Sequence, residues 1–421
     1  MTPSPGIAGQ PRGGPPVPLA PERSFDLARI LFSDTSKGYL LWASATVTFL
    51  AMLGTPNLWG HEGTWALICR EMMRTGDYVH PYLFGDEYYD KPLLSYWIMI
   101  GFARLLGRLD EWAIRLPGAL AALLALASTV RLGRCLFGRG AGLMAGWMLL
   151  GCYIFTYWAR IGTADILNIA AITAGVAWYF DRRDRPGFLT YGGFFFILAV
   201  GAQMKGLIAP VVTVLVILPD LGALGRWKRH LRSPWLYAAV LLGAGLYLAP
   251  FLASNAGGGG SYQSTGIVEA IRESLGRYLN PFDHQEPFTV YAKYLPAYAL
   301  PWTFLLPFVI WRACREWKTL DPASRWPLWA SLLIFLFLTL GRSRRNYYIL
   351  PILPFLVLAV ADWVRAKETS SRWRTASAWI AGASAVGLVV LFGAVLPPVE
   401  SRGGARLMAR EVRREAEARA P

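Results

Sequence analysis

Charge is what this chain has least of. Of its 421 residues only 16% are Asp, Glu, Lys or Arg, and 54% are apolar; soluble domains carry about a quarter charged residues, so the ordinary soluble class is excluded. Cysteine is scarce as well. Cys69, Cys135, Cys152 and Cys314 are scattered with no CxxC spacing, which argues against a disulfide framework and a cysteine zinc site. Histidine is equally sparse, with four residues. His61-Glu62 opens like a zinc-protease HExxH motif, but Trp65 occupies the second His position, so that reading fails. The run Gly257 to Gly260 has no Lys-Ser or Lys-Thr after it and is a flexible loop, not a phosphate-binding one. A divalent metal held by Glu62, Asp165 and His284 stays open, although no spacing demands it, and no other cofactor is required.

Acidic residues are outnumbered, 27 against 42 Lys and Arg, for a net charge of +15. The basic residues fall in short clusters between apolar runs, so the excess reads as topology and no nucleic-acid partner is expected. Five clusters belong in the cytoplasm: Arg131, Arg134 and Arg139; Arg182, Arg183 and Arg185; Arg226, Lys228, Arg229 and Arg232; Arg312, Arg315 and Lys318; Arg365, Lys367, Arg372 and Arg374. Between them lie apolar runs of about 16 to 22 residues, near the roughly 20 that cross a hydrocarbon core. The expected fold is an all-α integral membrane bundle of about eleven spans: 39–56, 116–136, 140–158, 166–181, 188–204, 206–222, 235–253, 294–311, 326–341, 346–363 and 375–396. The shorter run Pro92 to Gly107 is expected as an interfacial or re-entrant helix, and Thr64 to Arg74 as an amphipathic one on the membrane surface.

This divides the chain into a Pro- and Gly-rich cytoplasmic tail (1–37), a polytopic domain (38–396) with external loops at 57–115 and 254–293, and an external tail (397–421). The first apolar run is expected to remain as an anchor, without cleavage. Polar residues beside the spans, other than the basic clusters, gather on the outer side, and an ionisable group at a helix end needs a pairing or functional reason.

The first outer loop carries E-G-x-W-A-x-I-x-R-E-M from Glu62, T-G-D-Y, and Y-Y-D-K-P-L-L-S-Y-W over Tyr88 to Trp97. Further on come E-W-A-I-R-L-P-G-A-L at Glu111 to Leu120, A-R-I-G-T-A-D at Ala159 to Asp165, and K-G at Lys205. H-Q-E-P-F-T-V-Y at His284 to Tyr291 and R-R-N-Y-Y-I-L-P-I-L-P at Arg344 to Pro354 follow. In this order, over about residues 39 to 365, the chain resembles the protein O-mannosyltransferases and lipid A aminoarabinose transferases. Those are polyprenyl-phosphate-sugar transferases of the GT-C superfamily. The resemblance implies a GT-C membrane fold, a polyprenyl-phosphate-linked sugar donor, inversion at the anomeric carbon, and a lipid, glycan or protein acceptor. Where that family has an Asp-Glu pair, this chain has His61-Glu62.

Displacing a lipid phosphate from an anomeric carbon needs a base for the acceptor and cations for the growing phosphate charge. Glu62 and Asp165 are the expected carboxylates, with His61 a further candidate base. Lys91, Arg160, Lys205, Arg342 and Arg345, with Arg344 beside them, are the outward cations at headgroup level. Asp90, His284, Glu286 and Tyr347 are expected to contact sugar or acceptor. The alternatives are a transporter of a lipid-linked sugar, whose charges tend to lie at the midplane, and a membrane scaffold without activity. The expected location is a bacterial inner membrane, with a cytoplasmic amino terminus and a periplasmic or extracellular active face.

Overall fold

Helix start signals and small residues organise the bundle. Asp110 accepts a hydrogen bond from the Ala113 amide at 3.1 Å, an N-cap from which helix α4 runs over Glu111–Phe137; its 27 residues extend about 40 Å. Glycine lets the next helix, α5 (Arg139–Gly151), approach it closely. A Cβ on Gly133 would stand 2.7 Å from the Gly142 Cα, and one on Gly142 would stand 2.5 Å from the Val130 carbonyl oxygen. Such small-residue contacts replace the hydrophobic drive that lipid does not supply.

The computed structural model describes residues 26–33, 35–88, 91–223, 225–256, 278, 285–366 and 371–401. Helix α1 spans Tyr39–Leu50. After α5 come α6 (Tyr153–Ala159), α7 (Ala164–Arg182), α8 (Phe188–Lys205), α9 (Ile208–Ala223), α10 (Arg226–Leu231) and α11 (Pro234–Ala256). The last part holds α12 (Val290–Tyr298), α13 (Leu306–Glu316), α14 (Pro322–Leu340), α15 (Leu353–Ala366), α16 (Ser371–Val390) and the short α17 (Leu396–Ser401). Six helices among the described residues are long and apolar enough to cross a membrane, or eight if each of two bent pairs is one span. Helix α4 and the segment Asn346–Ala366 form the interior, with 72% and 83% of their most apolar stretch buried, whereas Pro234–Ser254 and Arg372–Val399 have 17% and 22%. The latter two are the lipid-facing walls.

Two expected spans are not straight, which corrects the sequence reading. The run 140–158 breaks at Cys152, where α5 and α6 meet at 73°, and the run 294–311 turns by 108° between α12 and the segment from Trp302. The breaks support each other. Trp302 in the second bend donates its indole N–H to the Met148 carbonyl at 2.7 Å, and Thr156 donates its hydroxyl to the Leu150 carbonyl at 3.1 Å. Carbonyls freed where α5 ends therefore have donors, the condition for irregular backbone at membrane depth.

Within residues 57–110 the chain forms, in line with the helical periodicity, two short helices. Helix α2 (His61–Thr75) buries Trp65, Ile68, Cys69 and Met72, one stripe at helical spacing, against Tyr96, Met99 and Ile100 of α3 (Leu94–Leu106). Burial pushes the Cys69 thiol up to about 12. Between α2 and α3 a small antiparallel hairpin pairs Tyr82–Leu83 with Asp86–Glu87 across Phe84 and Gly85, both at positive φ, the geometry of a tight hairpin turn.

Candidate functional site

An acid at a helix start meets a base at a helix end. Asp165 lies in the first turn of α7 and Lys205 is the last residue of α8, where each charge is favoured by its helix dipole. Helix α8 stops there because Gly206 takes φ +75°, a conformation costly for other residues. The two side chains form an ion pair, 13% and 18% exposed. The Lys205 ammonium also sits 4.7 Å over the Tyr348 ring and 5.8 Å from that of Tyr347, a cation–π arrangement. Arg345 donates to the Tyr347 hydroxyl at 3.0 Å, and Trp158 at the end of α6 packs on Tyr347 with centroids 4.7 Å apart. Asp165, Lys205 and the Arg345–Tyr347 turn, far apart in sequence, thus converge.

The α3 start joins this group. Ser95 donates to the Met204 carbonyl at 2.8 Å, setting that end of α3 against the end of α8, and half-buried Lys91 precedes Ser95 by one helical turn of sequence. The Thr163 hydroxyl, buried beside Asp165 at the α7 N-cap, has no hydrogen-bond partner among the described residues.

Glu62 serves a different arrangement. It is fully buried and accepts from Arg115 Nε and Nη2, each at 2.8 Å, from the Gly162 amide at 2.7 Å and from the Trp59 amide at 3.2 Å. Arg115 also donates to the carbonyls of Leu53, Pro56 and Asn57 at 2.8–2.9 Å. A bidentate pair with its remaining donors satisfied is the form in which buried charge is tolerated. The clasp ties the end of α1, the start of α2, α4 and the turn before Asp165 into one unit. Arg115 was absent from the expected site residues, although an arginine inside the first turns of an apolar helix calls for a partner.

Arg160 binds backbone. Its Nη1 donates to the carbonyls of Thr48 and Phe49 at 2.8 and 3.1 Å, and its Nη2 to that of Ala51 at 2.7 Å. It caps the end of α1, and the Phe392 ring lies 4.6 Å beneath the guanidinium. Arg344 likewise binds backbone, donating to the Glu286 carbonyl at 2.9 Å and that of Thr339 at 3.1 Å; this pins residues 285 and 286 to the turn that carries Arg345. Arg342 and His61 are exposed, and Glu286 is half-buried. Asp90 and His284 lie outside the described residues. Among the described residues no three His, Cys, Asp or Glu side chains converge as a metal would require.

His80 fastens the loop to the bundle. Buried, it bonds Asp77 through Nδ1 at 2.7 Å and the Ser254 carbonyl near the end of α11 through Nε2 at 2.9 Å. Burial alone would lower its pKa, but Asp77 and the Ser254 carbonyl outweigh burial and raise it. For Asp77, burial is outweighed by the amides of Val79 and His80 and by the imidazole, so its carboxyl lies below the usual value.

Comparison with known proteins follows the same lines. A family model described as dolichyl-phosphate-mannose-protein mannosyltransferase matches residues 90–253. The undecaprenyl phosphate-alpha-4-amino-4-deoxy-L-arabinose arabinosyl transferase of Aeromonas salmonicida is 29% identical over 353 residues, 79% of this chain and 61% of the relative. That of Shewanella sediminis is 26% identical over 75% and 57% respectively. The chain spans about three fifths of the length of the curated relatives it matches. Among solved structures, ArnT from Cupriavidus metallidurans bound to undecaprenyl phosphate superposes with a TM-score of 0.70 at 20% identity, covering 88% of this chain and 78% of ArnT. The Archaeoglobus fulgidus oligosaccharyltransferase gives 0.53 at 12% identity, covering 86% and 53%. The chain is a multi-pass membrane protein with the GT-C fold, and by sequence and fold alike it is similar to the polyprenyl-phosphate-sugar transferases of that superfamily.

Proposed function

We propose that the chain transfers a sugar from a polyprenyl-phosphate donor, undecaprenyl phosphate in a bacterial inner membrane, to a hydroxyl or phosphate of a lipid, glycan or protein acceptor. The observation that carries this is the half-buried Asp165–Lys205 pair under Tyr347, Tyr348 and Arg345, at one end of a GT-C bundle. Asp165 takes the acceptor proton. The acceptor oxygen bonds to the anomeric carbon as the bond from that carbon to the phosphate oxygen breaks, and the phosphate leaves with the electron pair. Lys205, Arg345 and Lys91 hold the phosphate as its charge grows, with Arg342 at the rim. Separating Asp165 from Lys205 on donor binding frees the carboxylate for its role as base.

Glu62, enclosed by four N–H donors, is in this reading the strut of the site, and Arg160 braces α1. His61, Asp90, His284, Glu286 and Tyr347 are assigned to the sugar and acceptor. The basic clusters support a cytoplasmic amino terminus and a periplasmic or extracellular active face, with one polytopic domain over 38–396.

The test is mass spectrometry of undecaprenyl phosphate released in nanodiscs from a mixture of undecaprenyl-phosphate sugars with a membrane extract as acceptor. Wild type is expected to release it. Asp165→Asn should lower the rate about a hundred- to ten-thousand-fold, Lys205→Ala about a hundred- to thousand-fold, and His61→Ala less than either. Release unchanged in Asp165→Asn and Lys205→Ala sinks this assignment.

A further inference from the structure

The end of the bundle opposite Asp165 carries a second gathering of charge. Helix α7 separates them by its 19 residues, about 28 Å. There residues 181–185 and 220–232 supply seven basic side chains, Arg182, Arg183, Arg185, Arg226, Lys228, Arg229 and Arg232, against Asp181, Asp184 and Asp220. Two of the acids are fully engaged. Asp220 accepts from Tyr179 Oη at 2.8 Å, from Arg226 at 2.9 Å and from Arg183, and Asp181 pairs with Arg131. Asp184 is different: its side chain is 64% exposed and only loosely held, 3.4 Å from Arg226 Nε and 3.9 Å from Arg183 Nε.

Within the field of Arg226, Arg229 and Asp184 lies His230, 8% exposed. Its Nδ1 meets the Tyr191 hydroxyl at 2.9 Å, and its Nε2 is buried with no hydrogen-bond partner among the described residues. With the Tyr191 hydroxyl donating to Nδ1, the imidazole carries its proton on Nε2 and offers an unused donor. A buried donor without an acceptor calls for one, and here it stands among cations. Trp227, Leu231 and Trp235 are exposed around it, the amphipathic frame of an element lying at a membrane surface.

We propose that Arg183, Arg226 and His230 form a binding site for the phosphodiester headgroup of an anionic diacyl phospholipid. The phosphate takes over the loosely held position of Asp184, receives His230 Nε2–H, and leaves the Asp220 pairs intact. Trp227 and Trp235 rest against the acyl chains. Charge complementarity selects the lipid: the segment carries a net excess of four positive charges, and each Lys or Arg near an anionic surface strengthens its attraction.

Native mass spectrometry of the whole chain, released from micelles doped with equal phosphatidylglycerol and phosphatidylcholine, tests this. Wild type is expected to retain phosphatidylglycerol selectively. His230→Asn, which leaves every ion pair in place, and Arg226→Gln should each weaken retention about tenfold, the effect of one charge-assisted hydrogen bond. Arg232→Gln removes the same charge outside the site and should leave retention within about twofold of wild type, given that exposed charges are worth little. Thermal melting of each variant separates loss of lipid from loss of fold, and His230→Asn decides the matter if Arg226→Gln unfolds. Equal retention of the two lipids by wild type, or equal loss in all three variants, overturns the site. Displacement of the lipid by low-millimolar inorganic phosphate overturns the lipid as its occupant.

Discussion

At the scale of single residues, burial decides which charges hold the structure and which remain open to chemistry. Glu62 and Arg115 are both buried and fully paired, so removing one partner strands the other. Glu62→Ala should destabilise the protein by about 3–5 kcal/mol, and Glu62→Leu combined with Arg115→Met by much less; thermal unfolding in detergent measures both. The His80 clamp gives a pH dependence whose sign follows from its raised pKa. The clamp contributes stability fully below the unfolded value of about 6.5 and loses it as pH rises through the folded one. Hydrogen exchange over residues 77–88 should therefore quicken as pH rises above about 6.5, beyond the intrinsic rate, and His80→Gln should abolish that excess. Cys69, buried with its thiol pushed up to about 12, should resist maleimide at neutral pH while the fold persists.

At the scale of elements, the site depends on close approach between the turn at 160–163 and α4. A Cβ on Gly162 would lie 2.4 Å from Ile114 Cγ2 and 2.8 Å from the Ile114 carbonyl oxygen. Gly162→Ala should therefore push this turn off α4, withdraw the amide from Glu62 and cost about 1–3 kcal/mol. Its thermal midpoint should fall, and the proposed transfer with it; a variant as stable as wild type would show that the turn can yield. Asp165 and Lys205 stand out in the sequence because each interrupts the end of an apolar run where topology does not need a charge. Their pairing could not, since it depends on α7 and α8 packing side by side. Arg160 looked the same in sequence as Lys205, yet α1 ends against it and its carbonyls take the guanidinium. The breaks at Cys152 and before Trp302 were equally hidden, because an apolar run reads alike whether its helix continues or turns.

At the scale of the whole molecule, hydropathy made the membrane class plain, and the order of outer-loop motifs made the GT-C fold plain. The number of crossings was less legible. Helix α1 has 12 residues and α9 has 16, below the roughly 20 that span unaided, and both lie beside longer helices in the bundle. Sidedness is testable with native and introduced thiols. Cys135 and Cys314 are exposed and lie beside clusters that the proposed topology puts in the cytoplasm, so in intact cells a membrane-impermeant maleimide should miss both and label Asp86→Cys at the hairpin. Labelling of Cys135 with Asp86→Cys protected would invert the topology and with it the proposed face.

The Glu62 clasp also sets a schedule for biogenesis. Its carboxylate precedes its arginine by 53 residues and the Gly162 amide by 100, so the ribosome delivers the acid long before either partner. At about 5–20 residues per second the wait for Gly162 is about 5–20 s. As the chain lengthens through that interval, the segment around Glu62 lacks its fastening and stays open to proteases and chaperones. A translation pause between codons 62 and 162 should lengthen that exposure, whereas one far downstream, after Gly162 has left the ribosome, should not.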